Sequence, residues 1–284
     1  MPYSRLPEPE VLAEAPLRFR APKLMGVVNS TPDSFYAGSR AETAELAVER
    51  ALRLADEGAD FLDIGGQSTR PGSDTVGLEA ERARVIPVIR ALAKQVKIPI
   101  SVDTDKARIA AEALDAGARI VNDVTALRGD PEMTKVAARA ERVVLMHMLG
   151  TSAKTMQAAP CYGDVVAEVR EFLEERLEAF AAAGGDVSRV WVDPGVGFGK
   201  TVEHNLALIK HAGELAAVAP VLLGVSRKSF LGGIAPDGGP DDRLPGSLAM
   251  AAWAGFAGVD VLRVHDVAAT RRALGALSAL AGSI

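Results

Sequence analysis

Two kinds of segment alternate eight times along this chain. Short runs rich in apolar and β-branched residues are each followed by a longer stretch whose apolar residues recur with helical spacing. The short runs are LMGVV (24–28), FLDIG (61–65), IPISVD (98–103), RIVNDV (119–124), VVLMHM (143–148), VWVD (190–193), VLLGVS (221–226) and VLRVH (261–265). Strands that are apolar along their whole length are typical of a parallel sheet covered by helices on both faces. Eight such units predict an α/β fold, a (β/α)8 TIM barrel, with an open doubly wound sheet as the alternative.

Glycines mark the ends of several predicted helices. Gly58, Gly117, Gly184 and Gly258 each stand just before the next apolar run, where a residue in the left-handed conformation ends a helix. The chain has 284 residues, which suits a barrel of about 250 residues. No linker divides residues 23–284, so we predict a single barrel domain there, preceded by a proline-rich N-terminal arm over residues 1–22.

Charge and cysteine content narrow the class of partner and the compartment. The net charge of −5 argues against nucleic acid as the main partner, because neutralising phosphates requires a basic surface. The lone cysteine, Cys161, has no partner for an intrachain disulfide, which favours a reducing compartment. The N-terminal segment lacks the apolar core of a signal peptide, and no run approaches the ~18 apolar residues of a membrane span. We therefore expect a cytoplasmic protein that binds neither nucleic acid nor membrane.

The segment VWVDPGVGFGKT (190–201) resembles a phosphate-binding loop at first sight. A P-loop requires a glycine five residues before the glycine of its Gly-Lys pair. That position holds Pro194, which has no backbone N–H to donate to a phosphate. The dinucleotide-binding spacing fails as well, since its third glycine would fall on Lys200. This segment therefore has a function other than binding a nucleotide phosphate.

Polar residues recur at or just after the carboxyl ends of the predicted strands. They are Asn29, Asp63, Asp103, Asn122, His147, Asp193, Lys228, Arg263 and His265. In a barrel these ends share one face, where active sites are built. Carboxylates and an amide are suited to a flat heterocycle with both donors and acceptors, and Lys, Arg and His supply positive charge for an anionic leaving group. The pattern predicts one binding bowl.

Four of these residues also have a structural explanation, whereas Lys228 and Arg263 are harder to explain in this way, because cations in a barrel mouth seldom lack an anionic partner. Asp103 could be a turn residue before its helix, and Asn122 could bond the backbone of an adjacent loop. His147 could be a core histidine, and Asp63 could be a structural hydrogen-bonding group below the site. Lys228 could instead be the Schiff-base lysine of a barrel aldolase. There is no zinc-ligand spacing among the four histidines and no GxSxG motif, which argues against a zinc enzyme or a serine hydrolase.

Eight stretches of the chain resemble the dihydropteroate synthase family, in the family's order. They are GVVNSTPDSF (26–35), DIGGQSTRPGS (63–73), ISVDT (100–104), IVNDV (120–124), LMHMLGTSAKTMQ (145–157), DPGVGFGK (193–200), GVSRKSFLG (224–232) and VLRVHDV (261–267). The resemblance implies a TIM barrel that joins 6-hydroxymethyl-7,8-dihydropterin diphosphate to p-aminobenzoate. The products would be 7,8-dihydropteroate, a folate precursor, and pyrophosphate.

The resemblance also implies a role for each matching position. The implied pterin-binding residues are Asp103, Asn122, Met146, Asp193, Phe198 and Lys228. The implied diphosphate-binding residues are Asn29, Arg263 and His265, with Asn29 also a ligand to Mg²⁺. The implied p-aminobenzoate-binding residues are Phe35, Thr69, Arg70, Pro71, Lys228 and Ser229. Those expected to take part in catalysis are Asp103, Asp193, Lys228, Arg263 and His265. The family is usually dimeric, so a homodimer is expected.

Three positions depart from the family's usual motifs. Gln67 stands where Glu is common, Ser30 where Val is common, and Leu149 where Gln is usual. We expect Gln67 to change the local charge near the loop after the second strand, and the other two to affect loop packing. None of the three is a residue assigned to chemistry.

The expected mechanism is a dissociative displacement. The electron-rich dihydropterin stabilises positive charge on its CH₂ group, the diphosphate leaves first, and the neutral amine of p-aminobenzoate traps the cation. Mg²⁺, Arg263 and His265 would stabilise the departing charge, while Asp103 and Asp193 favour a cationic pterin. The alternatives are a pterin-dependent corrinoid methyltransferase, which uses the same pocket, and a catalytically silent pterin-binding protein.

Overall fold

A closed barrel of eight parallel strands forms the centre of the molecule. The computed structural model describes residues 18–30, 40–67, 73, 75–150, 154–235 and 239–282. The strands are β1 (Lys23–Asn29), β2 (Phe61–Gly65), β3 (Ile100–Asp103), β4 (Ile120–Asp123), β5 (Arg142–Met146), β6 (Val190–Asp193), β7 (Leu222–Gly224) and β8 (Val261–Val264). Their order is β6-β5-β4-β3-β2-β1-β8-β7, and a parallel bridge between Val192 and Val221 joins the two ends. The barrel prediction is confirmed, and the open sheet was wrong.

Helices cover the outside of the barrel. In the described part of the chain they are α1 (Arg40–Asp56), α2 (Leu78–Leu92), α3 (Ala107–Ala116), α4 (Met133–Ala137), α5 (Val165–Ala182), α6 (Val202–Lys210), α7 (Phe230–Ile234), α8 (Leu244–Phe256) and α9 (Val267–Ala281). Two helices, α7 and α8, follow β7, which the simple βα repeat did not predict. The four predicted helix-ending glycines have positive φ angles of 95°, 115°, 85° and 78° in chain order, as expected of a left-handed cap.

Side-chain alternation along the strands separates an apolar plug from a polar mouth. The plug at the amino-terminal end of the barrel consists of Met25, Phe61, Ile120, Val144, Trp191, Leu222 and Val261. Phe61 and Trp191 pack edge-to-face there, with ring centroids 5.2 Å apart. Because every second residue of a strand points to the same side, the inward residues two positions later form the next layer. That layer includes Asp63, Asn122, Met146, Asp193 and Arg263.

The described end of the N-terminal arm packs at the amino-terminal end of the barrel, opposite the polar mouth. Phe19 lies edge-to-face on Phe256 at 5.1 Å between ring centroids. Arg20 donates to the Asp260 carboxylate at 2.7 Å, just before β8 begins. Residues 1–17 lie outside the described residues. Among the helices of the described ranges, none has both the length and the apolar character required to cross a membrane.

Candidate active site

Arg263 bridges two carboxylates at the mouth of the barrel. Its Nε donates to Asp63 Oδ2 at 2.7 Å, and its Nη2 donates to Asp103 Oδ2 at 2.7 Å. The Asp63 side chain is fully buried, whereas that of Arg263 is 21% exposed. The guanidinium therefore forms the floor of the bowl, and part of the Arg263 surface remains accessible from the bowl. Its Nη1 makes no hydrogen bond to any residue in the described ranges.

Asn122 and Asp193 lie in the same inward-facing layer. The Asn122 amide donates to Asp63 Oδ2 at 3.1 Å, and Asn122 is paired with Asp103 across β3 and β4. Asp193 ends β6, and its Oδ1 accepts a hydrogen bond from the backbone N–H of Gly195 at 2.7 Å. The structure therefore places Asn122, Asp193 and Arg263 in one inward-facing layer, and Arg263 links this layer to Asp103.

The 194–200 loop follows Asp193 and turns sharply back onto the strand-5 end of the barrel. Gly195 has a φ of +66°, and a Cβ atom there would lie 1.8 Å from the carbonyl oxygen of His147. Gly199 has a φ of +69°, and its Cβ would lie 2.3 Å from Leu149 Cβ. Only glycine satisfies both the backbone angle and the close approach at these two positions. The glycines thus serve packing against the barrel, in keeping with the rejection of a P-loop.

One side of the bowl is apolar. Met146 is buried and clusters with Val124, Met148 and Met156, and Phe198 of the 194–200 loop packs against this group. The Lys228 amine lies 4.7 Å from the centroid of the Phe198 ring and donates to the carbonyl oxygen of Val196. A flat ring placed in the bowl would therefore contact sulfur and aromatic surface on its faces, while its edge faces the polar layer.

Burial and neighbouring charges shift the pKa values of the ionisable groups in the bowl. Burial raises the pKa of Asp193 above its ordinary value, and the nearby Lys228 cation opposes that shift. It also lowers the pKa of Lys228 to about 8, and here the carboxylate of Asp193 opposes the shift. Burial raises the pKa of Asp103 as well, against the pull of Arg263. For Arg263, burial disfavours the charge, but Asp63 and Asp103 outweigh it, so the pKa rises and the guanidinium stays cationic.

His265 follows β8 and contacts Ser226. Its Nδ1 lies 3.1 Å from Ser226 Oγ, and its backbone N–H donates to the same hydroxyl. Burial, followed by the cations Arg263 and Arg227, lowers the pKa of His265 to about 3. The neutral imidazole is therefore the favoured form at pH 7 before an anion binds. The cause is desolvation beside existing cations.

Two functional candidates near the bowl are new or changed in role. Asp63, for which a structural role was the alternative, accepts hydrogen bonds from both Arg263 and Asn122. Its inward direction could have been inferred from Phe61, which lies two residues earlier on the same side of β2. Lys200, to which no role was assigned, is only 4% exposed, and its amine lies 2.8 Å from His147 Nδ1. His147 is buried and partnered, as the core-histidine alternative predicted.

The remaining predicted site residues are only partly within the described ranges. Asn29 is half-buried at the end of β1, and Ser229 is exposed at the N-terminal end of α7. The other predicted residues that contact p-aminobenzoate lie outside the described residues: Phe35, Thr69, Arg70 and Pro71.

The altered position Gln67 has defined partners. Its Oε1 accepts hydrogen bonds from the backbone N–H of Val76 at 2.9 Å and from the Lys106 amine at 3.0 Å. Lys106 also donates to the fully buried carboxylate of Glu81 at 2.6 Å. Because Gln67 is neutral, the positive charge of Lys106 is balanced mainly by the carboxylates of Glu81 and Asp105.

Comparison with known proteins gives a consistent family. A family described as pterin binding enzymes matches residues 25–265. The dihydropteroate synthase of Neisseria meningitidis serogroup B is 45% identical over 91% of this chain and 93% of that protein. That of Synechocystis is 42% identical over 87% and 86%, respectively.

Solved structures agree with the sequence comparison. A Xanthomonas albilineans dihydropteroate synthase with 4-aminobenzoic acid is 48% identical, with a TM-score of 0.85 over 91% of this chain and 93% of that one. The same enzyme in complex with 7,8-dihydropteroate is matched at 46% identity and a TM-score of 0.82 over the same shares. The chain belongs to the pterin binding enzymes and, within them, to the dihydropteroate synthase family.

Proposed function

We propose that this protein condenses 6-hydroxymethyl-7,8-dihydropterin diphosphate with p-aminobenzoate to give 7,8-dihydropteroate and pyrophosphate. The observation that carries the proposal is the bowl itself, in which a carboxylate–amide layer lies beside the Met146 and Phe198 wall. Such a site suits a flat ring that carries amine, amide and carbonyl groups. Family membership supports the same reaction.

The pterin is proposed to bind with its edge on Asp103, Asn122 and Asp193. A buried carboxylate can accept two N–H groups from such a ring, and the Asn122 amide both donates and accepts. Asp193 keeps one carboxylate oxygen for this purpose, because its Oδ1 accepts from Gly195. Lys228 is proposed to serve the pterin and the p-aminobenzoate together, since its amine lies next to the Phe198 ring.

The diphosphate is proposed to lie on the β1 and β8 side of the bowl. Arg263 can present its Nη1 to a phosphate oxygen while Asp63 and Asp103 hold its other nitrogens. His265, neutral beforehand, can donate a hydrogen bond from Nε2, and an arriving dianion would raise its pKa. Arg227, in contrast, forms a two-point ion pair with Asp266, at 2.9 and 2.6 Å.

Magnesium is proposed to bind with the diphosphate beside Asn29. No cluster of three or more His, Cys, Asp or Glu side chains able to hold a metal occurs in the described ranges. The half-buried Asn29 amide forms no hydrogen bond to another described residue. This donor set fits Mg²⁺, which commonly takes few protein oxygens and completes its shell with water and substrate phosphates. When bound, the ion would neutralise charge on the leaving group.

The bond changes are proposed to occur in two steps. The bond between the pterin CH₂ and the diphosphate oxygen breaks, and its electron pair leaves with pyrophosphate. The lone pair of the p-aminobenzoate amine then forms the C–N bond, and the amine proton leaves to solvent. Asp103 and Asp193 stabilise the intervening cation by electrostatics, which requires no covalent enzyme intermediate.

Assembly and compartment are also proposed. We propose a homodimer through the faces of α6, α7 and α8, where Leu206, Ile234 and Trp253 are 38%, 45% and 46% exposed. Helix α6 contacts both α7 and α8, and exposed large apolar side chains on neighbouring helices are typical of an interface. We expect Trp253→Glu to halve the mass measured by light scattering, and an unchanged mass would count against this face. The single exposed cysteine, Cys161, suits the reducing cytoplasm.

The reaction is tested by following pyrophosphate release from the dihydropterin diphosphate with and without p-aminobenzoate. Release coupled to dihydropteroate formation, and abolished by a chelator of Mg²⁺, is the expected result. Slow release without the amine, giving hydroxymethyl dihydropterin, would support the dissociative order of steps. Pterin binding without any pyrophosphate release would point to a silent binder or a methyltransferase relative, and would overturn the proposal.

A further inference from the structure

Lys200 is a buried cation that the proposed reaction does not use. Its side-chain amine lies 2.8 Å from His147 Nδ1 and donates to the carbonyl oxygen of Phe198 at 3.0 Å. Residue 200 is only 4% exposed, and a lysine is almost never so buried without a specific partner. The amine therefore ties the end of the 194–200 loop to the residue that follows β5.

The His147 end of this contact is held by the barrel and by helix α5. The backbone N–H of His147 donates to the carbonyl oxygen of Asp193 at 2.9 Å, and its ring packs edge-to-face on Phe172 with centroids 4.8 Å apart. Burial, followed by the Lys200 and Arg128 cations, lowers the pKa of His147 to about 3. The imidazole is therefore neutral and can accept the Lys200 hydrogen bond at Nδ1.

The rest of the loop is held on the same side. Gln157 donates to the carbonyl oxygen of Gly197 at 3.0 Å and accepts from the backbone N–H of Lys200 at 3.2 Å. The Tyr162 hydroxyl donates to the carbonyl oxygen of Gly199 at 3.0 Å. On the opposite side, Lys228 donates to Val196 and lies over the Phe198 ring. The loop thus lies between two lysines, one facing the bowl and one behind it.

Lys200 also contributes to the charge balance of the bowl. Burial lowers the pKa of Lys200 to about 7, while Asp193 acts to raise it and Lys228 to lower it. Reciprocally, Lys200 is one of three cations, with Lys228 and Arg263, that oppose the burial-driven rise in the pKa of Asp193. A cation behind the loop therefore helps to keep Asp193 ionised without occupying the ligand space.

We propose that Lys200 is a positioning residue for the pterin, acting through Phe198 and Asp193 rather than by touching the ligand. Its amine fixes the Phe198 carbonyl against His147, which sets the ring that flanks the bowl, and its charge favours the carboxylate form of Asp193. The inference rests on the proposed function only in naming a pterin as the ligand.

The test compares Lys200→Met with the wild type and with Lys210→Met, which removes an exposed lysine at the end of α6. The probe is 6-hydroxymethylpterin, whose own fluorescence reports binding without turnover. We expect Lys200→Met to raise the dissociation constant about 10-fold, the usual effect of losing a charge-assisted hydrogen bond that orders a site. Lys210→Met should bind as the wild type does.

Two further readouts separate positioning from a general structural role. The KM for the dihydropterin diphosphate should rise with the dissociation constant, whereas the KM for p-aminobenzoate should change less than about twofold. The acid limb of pterin binding should move to higher pH in Lys200→Met, because Asp193 then faces only Lys228 and Arg263 as cations. Unchanged pterin affinity, or an equal rise in both KM values with an unmoved acid limb, would overturn the inference.

A second variant covers the case in which Lys200→Met does not fold. His147→Phe keeps an aromatic ring against Phe172 but removes the Nδ1 acceptor, and we expect it to weaken pterin binding about threefold. Wild-type affinity in a folded His147→Phe protein would refute the proposed coupling. If the wild type itself neither binds the probe nor releases pyrophosphate, the proposed function fails instead, so the two failures are distinguishable.

Discussion

The buried Asp63 carboxylate holds both Arg263 and Asn122 in the proposed site. The substitution Asp63→Asn tests this role directly. The substitution keeps the shape of the side chain and removes its charge. Asp63 Oδ2 receives hydrogen bonds from Arg263 Nε at 2.7 Å and from Asn122 Nδ2 at 3.1 Å. The side chain is fully buried, so water cannot reach its position to replace the interactions that the carboxylate makes.

The magnitude follows from what the variant leaves behind. Removing one partner of a buried ion pair costs about 3–5 kcal/mol of unfolding free energy. Arg263 keeps its bond to Asp103 and is 21% exposed, and an asparagine oxygen can still accept a hydrogen bond, so the expected loss lies just below this range. We expect a loss of about 2–3 kcal/mol, which for 284 residues at about 2.1 cal/mol/K of unfolding entropy per residue lowers Tm by roughly 3–5 °C. Pterin affinity should fall about 10-fold, because Asn122 and Arg263 lose a shared charged partner.

The assay is urea unfolding at pH 7, followed by circular dichroism, with pterin binding measured on the same preparations. The matched control is Glu141→Gln, which removes the charge from a surface ion pair. Arg119 and Glu141 are 2.5 Å apart but 47% and 57% exposed, so the control should cost less than about 1 kcal/mol. If the two variants unfold within about 0.5 kcal/mol of each other, buried charge at position 63 does not hold the site, and the reasoning is refuted.

Three other changes probe the chemistry, the loop and the pH response. Asp193→Ala should lower kcat/KM for pyrophosphate release by about 10²–10³, and near wild-type turnover would remove Asp193 from the mechanism. Gly195→Ala should cost more than about 3 kcal/mol in urea unfolding, because its Cβ would lie 1.8 Å from the His147 carbonyl oxygen; a stable variant would contradict this packing. The pKa of His147 is lowered from 6.5 to about 3, so between these values the unfolded chain binds the proton that the folded one does not. The free energy of unfolding of the wild type should therefore fall as the pH drops below about 6.5. His147→Gln should reduce the slope of unfolding free energy against pH by up to about 1.4 kcal/mol per pH unit. Equal slopes in the wild type and the variant would refute this role of His147.

The strands were predictable because their signal is local. All eight apolar runs became strands in a closed barrel, and four glycines ended helices with positive φ angles. The ends of strands were less accurate: the run predicted at 221–226 is a strand only over Leu222–Gly224. The chain beyond it turns toward Lys228, whose partners lie on the 194–200 loop, and that contact is invisible to a local pattern.

The membership of the polar layer could be deduced in part from alternation. Once Phe61 and Trp191 are placed inside the barrel, Asp63 and Asp193 must also point inward. The same reasoning does not reach Lys200, which lies in a loop with no strand period. It contacts His147, 53 residues away in the chain, and only the fold brings the two together.

Local pattern thus established the barrel, the face that carries the site and the inward direction of its strand-end residues, because hydrophobic periodicity and turn chemistry act over a few residues. The tertiary structure decided which charges pair and which groups are ionised. Arg263 meets Asp63 across 200 residues of chain and Asp103 across 160, and the fold lowers the pKa of His265 by burying it beside Arg263 and Arg227. Desolvation and Coulomb interactions depend on distance in space rather than on distance along the chain, so these properties follow only from the assembled barrel.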